Sequence, residues 1–275
     1  MVNFCKNPKP VLLLINQKYP LEPFLQDEYK ILCNMEGVDI SVFPTDMPAS
    51  EPGYQTDQLD LNLARTRLQK FVSAFKYIKL DLFDCLKEDL QPISWGTLVK
   101  FIHAYVSVSF YTERLREIIL AKGYEHRPLM VYTYWFTPAS YAAGLLKHEF
   151  PHLQVITRAH GIDLFSKRHK GGYIPLRKSM CNLPDLIFPC SAAGQKELLT
   201  QGCKADKTHL AYLGVPPANE LSRASQGNKL CLVSCSTLAK VKRIPKLVES
   251  LAALAEKRSD LIIDWHHVGC SGKAL

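Results

Sequence analysis

Short apolar runs alternate with longer amphipathic patterns along most of this chain, and this alternation constrains the fold more than any other feature. Buried strands of a parallel sheet are short, continuous apolar segments, and each parallel connection needs a crossover, usually a helix. The predicted strands are residues 11–15, 38–43, 129–134, 153–157, 185–189, 208–212, 229–235 and 260–268. The predicted helices are residues 23–36, 58–80, 97–122, 138–148, 191–201 and 244–257. The sequence therefore predicts an α/β fold built on a doubly wound, parallel, Rossmann-like sheet.

A stretch that contains prolines and serines, residues 215–228, interrupts the alternation and is the clearest linker. Residues 1–214 before it form the predicted N-terminal Rossmann-like domain. Residues 229–275 after it supply about one and a half βα units, which is too little to cover a sheet on both faces. We therefore expect an incomplete second Rossmann-like domain, and a chain that is truncated before most of that domain.

The composition is typical of a globular protein with an anionic partner. Hydrophobic residues make up 47% and charged residues 22% of the 275 residues, so a packed core is expected and disorder is not. Lys and Arg outnumber Asp and Glu by 34 to 26, which favours a nucleotide diphosphate, a lipid phosphate or an acidic membrane as partner. No nucleic-acid-binding module is recognisable, so nucleic acid is not an expected partner.

The cysteines and the apolar runs bear on the compartment. The nine cysteines are odd in number and form no CxxC pair, so reduced structural thiols are expected rather than a disulfide framework or a zinc site. The N-terminus lacks the apolar core of a signal peptide. Residues 98–111 are apolar but contain Lys100 and His103, which predicts a core helix rather than a membrane span. We expect a cytoplasmic protein, soluble or peripheral to the membrane.

The strand predicted at residues 153–157 leads directly into Arg158, His160 and Gly161. In open α/β sheets, ligands bind at the carboxyl ends of the strands, and glycine permits close approach of the backbone. A charged group, an imidazole and a glycine at this edge therefore indicate a binding site. The alternative is that His160 is a hydrogen-bonded core histidine beside a turn glycine, and spacing alone does not separate the two.

An ordered set of segments resembles the retaining, GT-B-fold glycosyltransferases of family four. The resemblance spans nearly the whole chain and is closest to the bacterial branch that builds exopolysaccharide and capsule repeat units. The segments are VLLLIN from Val11, YPLEPFLQDEYKIL from Tyr19, VYTYWFTPAS from Val131, RAHGIDLF from Arg158, GGYIPLR from Gly171, PDLIFPCS from Pro184, LGV from Leu213 and LVSCSTLAKVKRI from Leu232.

The resemblance implies roles for individual residues. His160 would be the catalytic residue that contacts the sugar, while Lys242, Gly161 and Thr237 would bind the donor. Thr237 stands where relatives usually carry arginine, and threonine cannot reproduce a bidentate phosphate contact. The residues implied on the acceptor side are Arg158, Asp163, Tyr134, Trp135 and Ser191. The family is metal-independent, so neither a metal nor another cofactor is expected.

Three further motifs have simpler explanations. His148 and His152 match HExxH, but Pro151 between them should end the helix that zinc binding requires. Residues 269–273 imitate a phosphate loop, yet they have two residues between the glycines where the loop has four. Ser191 stands at a predicted helix N-cap, with an anion site at that helix terminus as the alternative.

The resemblance implies an enzyme of the hexosyltransferase type that moves a sugar from a nucleotide-diphosphate donor to a glycan or lipid-linked acceptor with retention, in polysaccharide biosynthesis. Because the second domain is incomplete, we expect the 275-residue chain to be inactive by itself. Two alternatives stay open. One is a non-catalytic basic binding protein on a degenerate glycosyltransferase domain, which Thr237 favours. The other is a nucleotide-sugar epimerase of the same fold.

Two basic groups suggest peripheral association with anionic membranes. Each cation near an anionic surface contributes on the order of 1 kcal/mol, so five can hold a protein loosely. For the first group, a solvated helix face is an equally good explanation. The first group is Arg65, Arg67, Lys70, Lys76 and Lys79. The second is Lys167, Arg168, Lys170, Arg177 and Lys178.

Overall fold

The computed structural model describes residues 8–17, 23–45, 94–169, 171–215, 217, 218, 220 and 222–269. The chain divides into two compact units, Met1–Pro216 and Pro217–Leu275. The predicted helix at residues 58–80, the first basic group and most of the phosphate-loop imitation lie outside the described residues.

The first unit is built on a five-stranded sheet in which every described pair of neighbouring strands is parallel. The strand order is β2-β1-β3-β4-β5, so the chain first adds a strand on one side of β1 and then moves to the other side. The strands are β1 (Val11–Asn16), β2 (Asp39–Pro44), β3 (Leu129–Thr133), β4 (Gln154–Ala159) and β5 (Leu186–Pro189). The predicted parallel α/β class is confirmed.

The strands are apolar on both sides because helices cover both faces of the sheet. Leu13 and Val131 belong to a core with Phe110, on the face covered by the helices Trp95–Ala121 and Pro138–Leu145. Leu12 and Leu14 belong to a separate core on the opposite face, which the first helix covers. The alternation of side chains along β1 thus fills two cores from one strand.

The helices begin where the sequence supplies caps. Ser94 and Thr97 form a capping box at the start of α2 (Trp95–Ala121), and Thr137 precedes α3 (Pro138–Leu145), which carries proline at its first position. In α1 (Pro23–Cys33), Leu25, Tyr29 and Leu32 recur at helical spacing and pack on the sheet. The helices of the first unit are α1 (Pro23–Cys33), α2 (Trp95–Ala121), α3 (Pro138–Leu145), α4 (Gly161–Leu164), α5 (Arg177–Asn182) and α6 (Ala192–Thr200).

The strand predicted at residues 208–212 does not form as a ladder. Thr208 makes an isolated parallel bridge with Ile187, and the amides of His209 and Ala211 donate to Ile187 and Pro189. Pro189 has no N–H with which to return a bond, so the pairing stays incomplete. The segment therefore follows β5 without becoming a sixth strand.

The expectation of reduced thiols is wrong at one pair. Cys181 at the end of α5 and Cys203 after α6 form a disulfide across a sequence separation of 22 residues. Both side chains are buried in the same apolar core. A separation of 22 residues is not a local cysteine motif, so the spacing gave no sign of the pairing. Four described cysteines, Cys33, Cys190, Cys231 and Cys235, carry free thiols.

The second unit contains two parallel strands and one long helix among its described residues. β6 (Lys229–Cys235) pairs in register with β7 (Ile262–Val268), from Lys229 opposite Ile262 to Cys235 opposite Val268. Between them lies α7 (Ile244–Lys257), whose bounds match the prediction. The second unit thus has the predicted strand, helix and strand order.

No helix in the described part of the chain is long and apolar enough to cross a membrane. α2 is the longest described helix and has an apolar sequence, but Phe101, Tyr105 and Val108 on it are buried in the protein core. It is therefore the core helix that its two interrupting polar residues predicted.

Candidate functional site

A cleft of about 700 Å³ opens at the carboxyl edge of the first sheet. It lies where β1 and β3 end, the point at which the strand order reverses direction. In doubly wound sheets, this reversal separates the loops that follow the two strands and leaves a crevice in which ligands bind. The cleft therefore has the position that the topology predicts for a binding site.

The floor of the cleft is formed by the ends of the two strands. Asn16 at the end of β1 is buried, and its side-chain oxygen accepts a hydrogen bond of 3.1 Å from the Trp135 indole N–H. Thr133 at the end of β3 also lines the cleft, and its hydroxyl is hydrogen-bonded to the hydroxyls of Ser140 and Thr157. A fixed indole beside hydroxyl and amide groups can bind a ligand with both apolar and polar faces, as sugars have.

One wall of the cleft is a polar stripe on α2. Lys100, His103, Ser107 and Tyr111 recur at helical spacing and all line the cleft. None of these four residues was predicted from the sequence to be functional. Lys100 and His103 interrupt an otherwise apolar helix, which from the sequence indicated only that the helix does not span a membrane.

His160 lies between β4 and α4, where it is the N-cap residue of that short helix. Its ring is buried against two aromatic rings, with centroids 4.5 Å from Trp135 and 4.9 Å from Tyr134. Among the described residues, neither ring nitrogen has a hydrogen-bond partner. Burial, together with the nearby charge of Arg158, lowers the pKa of His160 from 6.5 to about 4. The imidazole is therefore uncharged at neutral pH.

His160 is not among the described residues that line the cleft. Trp135 lines the cleft, and His160 packs behind it. His160 is buried, as the core-histidine alternative expects, but neither of its ring nitrogens, which are both shielded from solvent, has a hydrogen-bond partner among the described residues.

Asp163 organises the loops around His160. One carboxylate oxygen accepts the His160 backbone N–H at 2.6 Å, and the other accepts the Phe136 N–H at 2.7 Å. Burial raises the pKa of Asp163 to about 6, although both backbone bonds and the Arg177 charge act in the opposite direction. The carboxylate thus ties the loop after β3 to the turn after β4.

Arg177 supports the same arrangement from α5. Its guanidinium donates to the Asp163 carbonyl and lies 4.3 Å from the centre of the Phe136 ring. The side chain is buried, so the sequence-based placement of Arg177 in a membrane-binding basic group is wrong. Lys167, Arg168 and Lys178 of that group are described, and Lys170 lies outside the described residues.

Gly161 lies at a close approach of the Arg168 side chain. A Cβ at this position would lie 2.3 Å from the Nη1 atom of Arg168, whose guanidinium also stacks 5.4 Å from the Phe165 ring. The glycine therefore allows a cation to cover the turn after His160. A larger residue would displace that flexible side chain rather than the backbone.

Arg158 does not point into the cleft. It donates to the carbonyls of Ala211 and Tyr212 at 3.2 and 3.3 Å and lies 3.5 Å from the Glu28 carboxylate of α1. The Tyr132 hydroxyl donates to the same glutamate. Arg158 thus connects β4, α1 and the segment that follows β5.

The remaining predicted residues lie in different places. Tyr134 is buried against Phe24 and His160, and Ser191 is the N-cap of α6, where its hydroxyl accepts the Gly194 N–H. Thr237 and Lys242 are exposed in the second unit. The structure therefore brings Tyr134, Trp135, Arg158, His160, Gly161 and Asp163 together at one edge of the first sheet.

The HExxH residues do not form a zinc site. α3 ends at Leu145, and a single 3₁₀ turn, Leu146–His148, follows it, so His148 and His152 do not share a helical face. Within the described residues, no group of three or more His, Cys, Asp or Glu side chains could hold a metal ion.

Several solved structures are similar to this chain. The lipopolysaccharide outer core galactosyltransferase WaaB superposes with a TM-score of 0.50 at 8% identity, covering 94% of this chain and 68% of that structure. The N-terminal domain of Candida albicans trehalose-6-phosphate phosphatase gives 0.59 at 14% identity, with coverages of 94% and 65%. Anabaena Alr3699/HepE in complex with UDP gives 0.50 at 11% identity, with coverages of 96% and 70%.

These likenesses confirm the predicted fold class, a GT-B-like α/β arrangement. At such low identities they show the fold alone. This chain spans about two thirds of the length of these three structures. No protein-family model and no curated protein matches its sequence.

Proposed function

We propose that this chain is a glycosyltransferase that moves a sugar from a nucleotide-diphosphate donor to a glycan or lipid-linked acceptor. The observation that carries the proposal is the cleft at the strand-order reversal, about 700 Å³ in volume, with Trp135, Asn16 and Thr133 on its floor. Its place in a fold similar to that of a galactosyltransferase and of a UDP-bound protein supports this function.

The more specific form of the proposal is a retaining enzyme of family four in exopolysaccharide or capsule synthesis. The ordered segments of the sequence that resemble this family support it. Transfer requires stabilisation of a departing diphosphate and of an oxocarbenium-like sugar. Positive side chains can supply the first without a metal, so the proposed reaction uses no metal and no other cofactor.

His160 is the proposed residue in contact with the reacting sugar. Because its pKa is lowered to about 4, it would act at neutral pH as an uncharged hydrogen-bonding group rather than as a cation. Neither ring nitrogen has a described partner, and contact with a sugar would require movement of the Trp135 ring, which lines the cleft and packs against the imidazole. Asp163 is proposed to position His160 through the backbone bond at 2.6 Å.

The donor is proposed to use Lys242 for its diphosphate, with Thr237 and Gly161 as further contacts. The acceptor side is proposed to include Tyr134, Trp135, Arg158 and Asp163, together with Ser191 at the start of α6. We propose that the protein works in the cytoplasm, at or near the inner face of the membrane, without nucleic acid as a partner, although a disulfide such as Cys181–Cys203 is uncommon in that reducing compartment.

A donor panel tests the proposed function. The full chain is incubated with UDP-glucose, UDP-galactose, UDP-N-acetylglucosamine or GDP-mannose and with glycan or lipid extracts, and mass spectrometry detects the addition of a sugar. Calorimetry with UDP and GDP measures nucleotide binding independently. We expect binding of a nucleotide. Transfer from at least one donor would support the proposed function, and binding without transfer would match the expectation that these 275 residues are inactive by themselves.

A matched pair of tryptophan variants locates the activity. Trp135→Ala changes the cleft floor, whereas Trp95→Ala changes an indole that is 80% exposed at the start of α2. We expect Trp135→Ala to abolish transfer and Trp95→Ala to retain it. If the wild-type chain neither binds a nucleotide nor transfers a sugar, the proposed function is refuted. If both variants transfer sugar equally well, the proposed site is refuted.

A further inference from the structure

The short helix α4, Gly161–Leu164, is too short to be held by its own hydrogen bonds. The last carbonyls of any helix have no partner within that helix. In α4, side chains from three other segments donate to three successive carbonyls, so the carbonyl end of the helix is fixed from outside. These bonds run from His169 Nε2 to Ile162 at 2.6 Å, from the Arg177 guanidinium to Asp163, and from Gln201 Nε2 to Leu164 at 2.8 Å.

The other end of α4 carries His160. This histidine is the N-cap residue, and the Asp163 carboxylate accepts its backbone N–H at 2.6 Å. Asp163 thus joins the two ends of the helix, because its carboxylate holds His160 while Arg177 holds its carbonyl. A shift of the carbonyl end would therefore move the imidazole against the rings of Trp135 and Tyr134, whose centroids lie 4.5 and 4.9 Å from it.

Gln201 reaches α4 from the end of α6. It is the C-cap residue of α6, and its side-chain amide donates to the Leu164 carbonyl and to the Glu197 carboxylate, each at 2.8 Å. Its side-chain oxygen is buried and has no partner among the described residues. Only the donor end of the amide is therefore used, and a donor is what the last carbonyl of a helix requires.

The Cys181–Cys203 disulfide connects two of the segments that hold α4. Arg177 lies one helical turn before Cys181 in α5, and Gln201 lies two residues before Cys203. The Leu164 side chain is buried in the same apolar core as both cysteines. The disulfide therefore limits how far Arg177 and Gln201, which donate to neighbouring carbonyls, can separate.

We propose that Gln201 is a positioning residue for His160, which it places by holding the carbonyl end of α4. The Cys181–Cys203 disulfide keeps Gln201 and Arg177 together on that end. This inference rests on the proposed function, in which His160 contacts the reacting sugar, and adds the residues that place the imidazole. Neither Gln201 nor the disulfide is among the described residues that line the cleft, so both act through α4.

Two glutamine variants of the full chain test the inference. Gln201→Met removes the donor to Leu164, whereas Gln195→Met removes a matched donor on α6, whose amide bonds the Thr208 carbonyl at 3.1 Å. NMR of the His160 ring C–H groups, assigned with His160→Gln, reports the position of the imidazole against its aromatic neighbours. We expect these signals to move in Gln201→Met and to keep their wild-type positions in Gln195→Met.

Two further measurements complete the test. Gln201→Lys keeps a donor for Leu164 and Glu197, so it should keep the wild-type His160 signals. Dithiothreitol reduces the disulfide to two thiols and is itself oxidised, and this loss should also move the signals. If Gln201→Met does not fold, the reduced protein decides. Signals that stay in place on reduction and in Gln201→Met, or that move equally in the two methionine variants, would overturn the inference.

Steady-state kinetics separates the inference from the proposed function. Where the donor panel finds transfer, kcat/KM should fall about tenfold in Gln201→Met and stay near the wild-type value in Gln195→Met. A moved imidazole with unchanged kcat/KM would support the positioning and count against His160 as the residue in contact with the sugar. The NMR result stands whether or not transfer is found, because it needs no substrate.

Discussion

Replacement of His160 by glutamine should change how the stability of the protein depends on pH. The imidazole has a pKa lowered from 6.5 to about 4 by burial and by Arg158. Between these values the unfolded state holds a proton that the folded state does not, so the folded state loses stability as pH falls. The lowering of the pKa from 6.5 to about 4 corresponds to about 3 kcal/mol in the free energy of unfolding. This contribution is fully present above pH 6.5 and is lost as the pH falls towards 4.

Urea denaturation at pH 7.5 and at pH 4.5 measures this contribution. The wild-type chain should lose about 2–3 kcal/mol more than His160→Gln between the two pH values. His126→Gln, at a histidine whose side chain is 85% exposed, controls for the removal of any imidazole. The titration of the His160 ring C–H signal by NMR gives the same pKa directly. Equal losses in the wild type and His160→Gln would refute the buried, uncharged histidine.

Asp163→Asn should have the opposite effect on pH dependence. Because the pKa of Asp163 is raised to about 6, the folded state keeps a proton that the unfolded state releases, so wild-type stability relative to Asp163→Asn falls by about 3 kcal/mol as pH rises from 4 to 6. Urea denaturation of the wild type and of Asp163→Asn at about pH 4 and about pH 6 checks this. The same change in the free energy of unfolding in both proteins would contradict it. Cys181→Ser should lower the free energy of unfolding by about 3 kcal/mol through loss of the bond to Cys203. A reducing agent should shift the calorimetric melting temperature of the wild type but not of Cys181→Ser, and no shift in either would contradict the disulfide.

The sheet could be predicted from the sequence because its signals are local. Runs such as Val11–Asn16 are apolar on both faces, and a cap or a proline marks the start of α2, α3 and α6. The prediction of a strand at residues 208–212 was wrong because Pro189, about twenty positions earlier in the chain, removes a hydrogen-bond donor from the neighbouring strand β5. Pairing across strands is not a local property.

The site was predicted only in part for the same reason. The place of His160 at a strand end followed from the sequence, but its burial behind Trp135 depends on packing between separate loops. Arg158 was expected at the acceptor, yet its partners, Ala211 and Tyr212, are more than fifty residues away. One local signal was overlooked: an aspartate three residues after His160 fits the capping position that Asp163 occupies.

The central claim is that a sugar is transferred at the edge of the sheet where His160 lies, and His160→Ala tests it most directly. Steady-state kinetics with the donor found in the panel should show kcat/KM reduced about 100-fold, the loss expected for one hydrogen-bonding group at the reacting centre. Circular dichroism and the melting temperature should show that the fold is retained. A variant that keeps near-normal kcat/KM would contradict the account, because His160 would then be a structural residue.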